Sequence, residues 1–94
     1  MLMTGLLPSV KGTLYQATAR VVFSYASFVN TDSSSRTINI YIKMGNYDSR
    51  RIIPKDFSLN PGEHADWTGK FELEVGDLIE GDASTGGVVD YTLN

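Results

Sequence analysis

Thr37-Ile38-Asn39-Ile40-Tyr41-Ile42-Lys43-Met44 is the stretch whose reading decides the fold class. Ile38, Ile40, Ile42 and Met44 alternate with Asn39, Tyr41 and Lys43, the period of two that marks a strand with one buried and one wet face. That parity places Tyr41 outward. Upstream, residues 15–30 form a second β-rich run. Val21, Phe23, Tyr25 and Val29 share one parity while Val22, Ala26 and Phe28 share the other. Apolar residues on both faces predict a central strand or one with a covered outer face. Thr31-Asp32-Ser33-Ser34-Ser35-Arg36 lies between the two runs and reads as a polar turn, so the pair is expected to form a hairpin.

Downstream, Asn60-Pro61-Gly62-Glu63 has proline and glycine at the central positions of a type II turn. Lys70-Phe71-Glu72-Leu73-Glu74-Val75 then alternates, with Phe71, Leu73 and Val75 predicted inward. Gly76-Asp77 and Ser84-Thr85-Gly86-Gly87 punctuate two further short strands, and no segment has helical period. These features predict an all-β domain, an antiparallel β-sandwich (jelly-roll or Ig-like) of about 6–8 short strands. At 94 residues the chain makes one domain, read as residues 11–94, with residues 1–10 as a possible N-terminal assembly arm.

Hydrophobic residues at 41% and charged residues at 20% are a globular balance. Cysteine is absent and His64 is the sole histidine, which excludes thiol chemistry, disulfides and repeated His ligand patterns. The net charge of −3 gives no footprint for nucleic acid. No stretch approaches the ~20 apolar residues of a helical membrane span. Met1 to Pro8 lacks the basic start of a signal peptide, so synthesis in a cytoplasm is expected. Residues 1–60 hold seven of the eight basic side chains against three acidic ones, whereas residues 61–94 hold Lys70 against eight carboxylates. Either strand pairing brings these charges together, or the chain is a polar subunit with a basic and an acidic face.

Candidate chemistry is sparse. His64, flanked by Glu63 and Asp66, has no nucleophile setting beside it and reads as a polar turn residue. Asp77, Glu80 and Asp82 lack calcium-loop spacing and read as a solvated acidic edge. Neither phosphate-binding glycine motif occurs. No catalytic residue, metal or cofactor is therefore expected. Arg50 and Arg51 are expected to pair with the acidic C-terminal third. Tyr41 and Trp67 are candidate outward aromatics for a protein interface, a lid over the core edge or a sugar platform. Met1, Leu2, Met3, Leu6 and Leu7 form an apolar stretch suited to a neighbour's groove or strand edge.

Several pieces recur in one order: Phe28-Val29-Asn30-Thr31-Asp32, Arg36-Thr37-Ile38-Asn39-Ile40-Tyr41, Phe57-Ser58-Leu59-Asn60-Pro61-Gly62-Glu63, Leu73 to Thr85, and Val88-Val89-Asp90-Tyr91. In these pieces, which run from Phe28 to Tyr91 within a likeness covering residues 12–93, the chain resembles a group of small bacteriophage virion proteins. The resemblance implies a non-enzymatic β-sandwich subunit present in many copies on a particle, most simply a capsid decoration (cement) protein. The implied partners are further copies of the chain (a homo-oligomer, possibly a trimer) and a major capsid or other virion protein. The expected location is the virion, and no functional residue transfers by motif. The alternative is a tail or head-fibre component that binds a host surface glycan.

Overall fold

The computed structural model describes residues 2–94, and among them every regular element is a strand. In chain order these are β1 (Met3–Leu6), β2 (Gly12–Gln16), β3 (Val21–Asn30), β4 (Arg36–Lys43), β5 (Arg50–Arg51), β6 (Phe57–Leu59), β7 (His64–Leu73), β8 (Leu78–Ala83) and β9 (Val89–Leu93). They build two antiparallel sheets, one ordered β1-β9-β3-β7 and the other β2-β8-β4-β5, with β6 also on the outer edge of β4. The pairs β1–β9, β2–β8, β3–β7 and β4–β5/β6 nest inside one another. The chain is thus one long hairpin doubled back along its length. Pairing of β3 with β9 and of β4 with β8 rolls that hairpin into two layers.

The count is nine strands rather than 6–8 because residues 3–6 and the two-residue β5 are strands in their own right. The expected β3–β4 hairpin does not form, since β3 and β4 belong to different sheets. Both edges of β3 are taken, by β7 and β9, so no side remains for β4. The buried Asn30 at the end of β3 directs the crossing. Its side-chain amide donates to the carbonyls of Ser34 and Leu59 (both 2.9 Å), and its oxygen accepts from Asp32 N (3.0 Å). Arg36 closes the same turn on Asp32.

The two-faced pattern of β3 has a local cause. Ser24 and Tyr25 both donate to the carbonyl of Asn94, and the register with β7 shifts between Phe23 and Tyr25. This bulge switches the inward parity, so Phe23 on one side of it and Ala26 and Phe28 on the other all enter the core. The tight turn after β6 forms as expected: Gly62 has φ +79° and Glu63 N donates to Asn60 O (2.9 Å). Val75, by contrast, lies beyond the end of β7 and is exposed.

Leu7, Phe23, Phe28, Leu73, Val89 and Leu93 meet Leu14, Ile38, Ile40, Leu59 and Ile79 in one core between the layers. A chain of aromatic contacts links them: Tyr15–Phe23 (5.2 Å, edge-on), Phe23–Phe71 (5.7 Å, stacked) and Phe71–Trp67 (4.7 Å, edge-on). Such pairs add roughly 0.5–1.5 kcal/mol each beyond their buried area.

Candidate interaction surface

The sequence candidates separate into three places. Tyr41, Arg50 and Arg51 gather on the β4–β5 hairpin, Leu2 and Leu6 are exposed at β1, and Trp67 and Leu7 face inward. Met1 lies outside the described residues.

The β4–β5 register sets Tyr41 opposite Arg51 and Ile42 opposite Arg50, so the two arginines serve opposite faces of the sheet. On the outer face the Tyr41 ring lies between two cations, Lys11 Nζ at 5.1 Å and the Arg51 guanidinium at 4.9 Å from its centroid. Tyr41 is outward as expected and half-buried, with both cations close to its ring. Arg51 also donates to the Asn39 side-chain oxygen, which accepts Asp56 N as well (2.9 Å). The Asn39 amide donates to Asp56 and Asp82 (both 3.0 Å), so this buried outer-face residue is fully satisfied. Ser49 donates to Glu80 and accepts from Lys11 (3.3 Å). The expected ion pairing of Arg50 and Arg51 with the C-terminal carboxylates is not made among the described residues, because Asn39 takes the Arg51 fork. Charge from the two halves of the sequence meets instead at Arg20, paired with Glu72 and Glu74.

Behind β5 the hairpin opens into an apolar groove of about 570 Å³ lined by Ile42, Met44, Tyr47, Asp48, Arg50 and Ile52. Its turn is closed by Tyr47 N donating to Met44 O (3.0 Å). Asp77 braces it from below, accepting Gly45 N (3.0 Å) with one carboxylate oxygen and Glu74 N (2.9 Å) with the other. Met44 and Tyr47 are among the most exposed large apolar side chains, Tyr47 at 77%. The groove therefore presents sulfur, an aromatic ring and one cation–anion pair of side chains to solvent, a composition suited to a protein partner.

Three expectations are corrected here. Trp67 is not outward. It shares the inward parity of Ala65, Phe71 and Leu73 on β7 and packs on Phe71, a lid at the core edge. Its indole lies over Gly69, where a Cβ would come within 3.1 Å of the ring. Residues 3–6 are not a free arm, since they pair with β9 as an edge strand. Leu7 anchors that strand: it is fully buried, its N–H donates to Val89 O and its carbonyl accepts Gly87 N. Met3 packs against the core from its edge. Nor do Asp77, Glu80 and Asp82 form a solvated edge, because Asp77 and Glu80 are buried and Asp82 is half-buried, each with the partners just given. No three acidic or histidine side chains converge as a metal site among the described residues.

His64 is exposed, with Nδ1 3.1 Å from Asp66. The hydrogen bond from His64, then that from Ser27, holds the Asp66 carboxyl below its ordinary range.

Sequence reasoning missed the roles of Asn30, Asn39, Lys11 and Ser49, and took Glu80 for a solvated acid. The one legible signal was Asn39 between two core isoleucines, and it reads equally as a solvated position until the segment covering it is known.

Comparison with known protein families, curated proteins and solved structures finds no match to this chain.

Proposed function

We propose that the chain is a non-enzymatic structural subunit of a bacteriophage virion, most simply a capsid decoration protein bound to a repeating lattice. The observation that carries this reading is the nested strand order. With β5 and β6 counted as one interrupted strand, we read it as a double-sheet jelly roll, an architecture used for viral capsid domains as well as for lectins and cupins. An Ig-like sandwich would keep more consecutive strands as neighbours in one sheet, whereas here the chain changes sheet at nearly every connection.

The contact is the β4–β5 groove. Ile42, Ile52, Met44 and Tyr47 supply apolar area, and Arg50 and Asp48 fix orientation. A single groove of this size binds weakly. Repetition of the same contact across a lattice makes attachment durable when subunits are linked. The glycan-reading alternative finds less support, since Trp67 faces the core and two cations lie close to the Tyr41 ring.

The test is pelleting of purified protein with particles assembled without it. Saturable binding at a fixed copy number is expected, and Arg50→Glu is expected to weaken it at least about tenfold by reversing the charge at the contact, with melting temperature unchanged. Protein that stays in the supernatant at every concentration would remove the virion reading.

A further inference from the structure

The four sheet edges of this molecule are not alike. An open edge invites pairing with another chain unless charge, proline, a bulge or shortness blunts it. The β7 edge carries Asp66, Lys70 and Glu72 and a register break. The β2 edge follows Lys11 and is bulged between Thr13 and Tyr15. The β5/β6 edge is broken into two short pieces, with Arg50, Arg51 and the intervening Pro54 and Lys55. β1 is short, at four residues, but among the described residues it is the edge that carries none of the other devices. From Leu2 to Leu6 there is no charge, no proline and no bulge, and Leu2 and Leu6 are exposed at 68% and 55%.

We infer that β1 is a self-association edge, on which β1 of a second copy pairs antiparallel about a twofold axis at Thr4. The segment Leu2-Met3-Thr4-Gly5-Leu6 is self-complementary in that register: Thr4 faces Thr4 of the second copy, and Leu2 and Leu6 face each other at both ends. The backbone agrees with the side chains. Leu7 N donates to Val89 O, so along the antiparallel ladder the odd residues turn their polar groups toward β9. Thr4 and Leu6 therefore turn theirs to the open side, and so does Leu2 if the extended backbone is followed back one step. The register that sets Thr4 against Thr4 brings these open groups together as hydrogen-bonded pairs. On the outer face the paired leucines cover one another and flank a Thr–Thr pair, both favourable cross-strand combinations.

The product is a symmetric dimer in which the four strands β7-β3-β9-β1 continue across the axis into the same four of the second copy. One strand pair is small beside the ~800 Å² per partner of a standard interface, so the dimer is weak and depends on concentration. The inference is independent of the virion reading, because β1 and the β4–β5 groove belong to edges of different sheets.

The test is sedimentation velocity on the full chain from about 10 µM to about 1 mM, a range suited to a contact this small. Wild type is expected to move from one-chain to two-chain mass. Thr4→Lys sets two ammonium groups opposite each other at the axis and is expected to weaken dimerisation about tenfold or more, whereas Thr4→Val retains it. Thr4 is exposed, so all three proteins are expected to melt alike. A wild type that stays monomeric throughout, or a Thr4→Lys protein that dimerises as wild type does, would overturn the inference. The affinity of a single groove for its partner would be unaffected by either result, although attachment by linked subunits would lose avidity with the dimer.

Discussion

Replacing Asn30 tests how the chain is led from one sheet to the other. The side chain is fully buried and makes three hydrogen bonds, to Ser34 O, Leu59 O and Asp32 N. Asn30→Ala removes all three. Each lost bond costs about 0.5–1.5 kcal/mol, the buried one to Leu59 O at the upper end of that range. The total is about 3 kcal/mol, a large part of the roughly 5–15 kcal/mol that holds a domain together. For a chain of this length it corresponds to a fall in melting temperature of about 15 °C. Asn30→Asp keeps the shape but turns an oxygen toward two carbonyls, so the folded state favours the protonated acid. The folded pKa is thereby raised, and the added penalty is absent below the ordinary value near 4 and grows as pH rises above it. Urea unfolding at pH 3.5 and pH 7 reads both effects. Asn30→Ala should lie about 3 kcal/mol below wild type at each pH, and Asn30→Asp should fall further behind only at pH 7. An Asn30→Ala protein within about 0.5 kcal/mol of wild type would refute the reasoning.

Two further outcomes follow from the same structure. Asp32, Asp66 and Glu72 are held below their ordinary range chiefly by hydrogen bonds from Arg36, His64 and Arg20 respectively. A lowered folded pKa gives stability that is present above the ordinary carboxylate value and lost as pH falls through the folded one. Melting temperature should therefore drop below about pH 4, and less steeply in Glu72→Gln; a flat profile down to pH 2 would contradict this. At Gly81 a Cβ would meet Ile40 Cδ1 at 3.0 Å, Leu14 Cδ1 at 3.1 Å and the Asn39 carbonyl at 3.2 Å. Gly81→Ala should cost about 1–3 kcal/mol by overpacking in urea unfolding, and an unchanged midpoint would show that the two sheets can part there.

Strand existence was largely legible in the sequence, and strand partnership was not. The alternation of Ile38, Ile40 and Ile42, the Pro61-Gly62 turn and the Phe71–Leu73 pair each depend on neighbours within a few residues, which is where period and turn chemistry act. The β3–β4 pairing was misread because a short polar turn looks alike whether it joins neighbours in one sheet or crosses between two. The deciding group, Asn30, is tied to Leu59, 29 residues away. Bulges hid two further facts. One split the inward parity of β3, and Gly69-Lys70 opposite it broke the alternation between Trp67 and Phe71, so the inward face of Trp67 went unseen. At the β4–β5 surface Tyr41, Arg50 and Arg51 were each singled out in the sequence, but not as neighbours, since the register that joins them links two strands. Met44 and Tyr47 were not, because the groove exists only where the hairpin turns away from the sheet.

The account rests on a subunit that occupies a particle in regular, repeated positions. Quantitative mass spectrometry of gradient-purified particles from the source strain tests it most directly. A fixed ratio of this chain to the major shell protein, held through successive gradients, is the predicted result. Particles free of the chain would contradict the account.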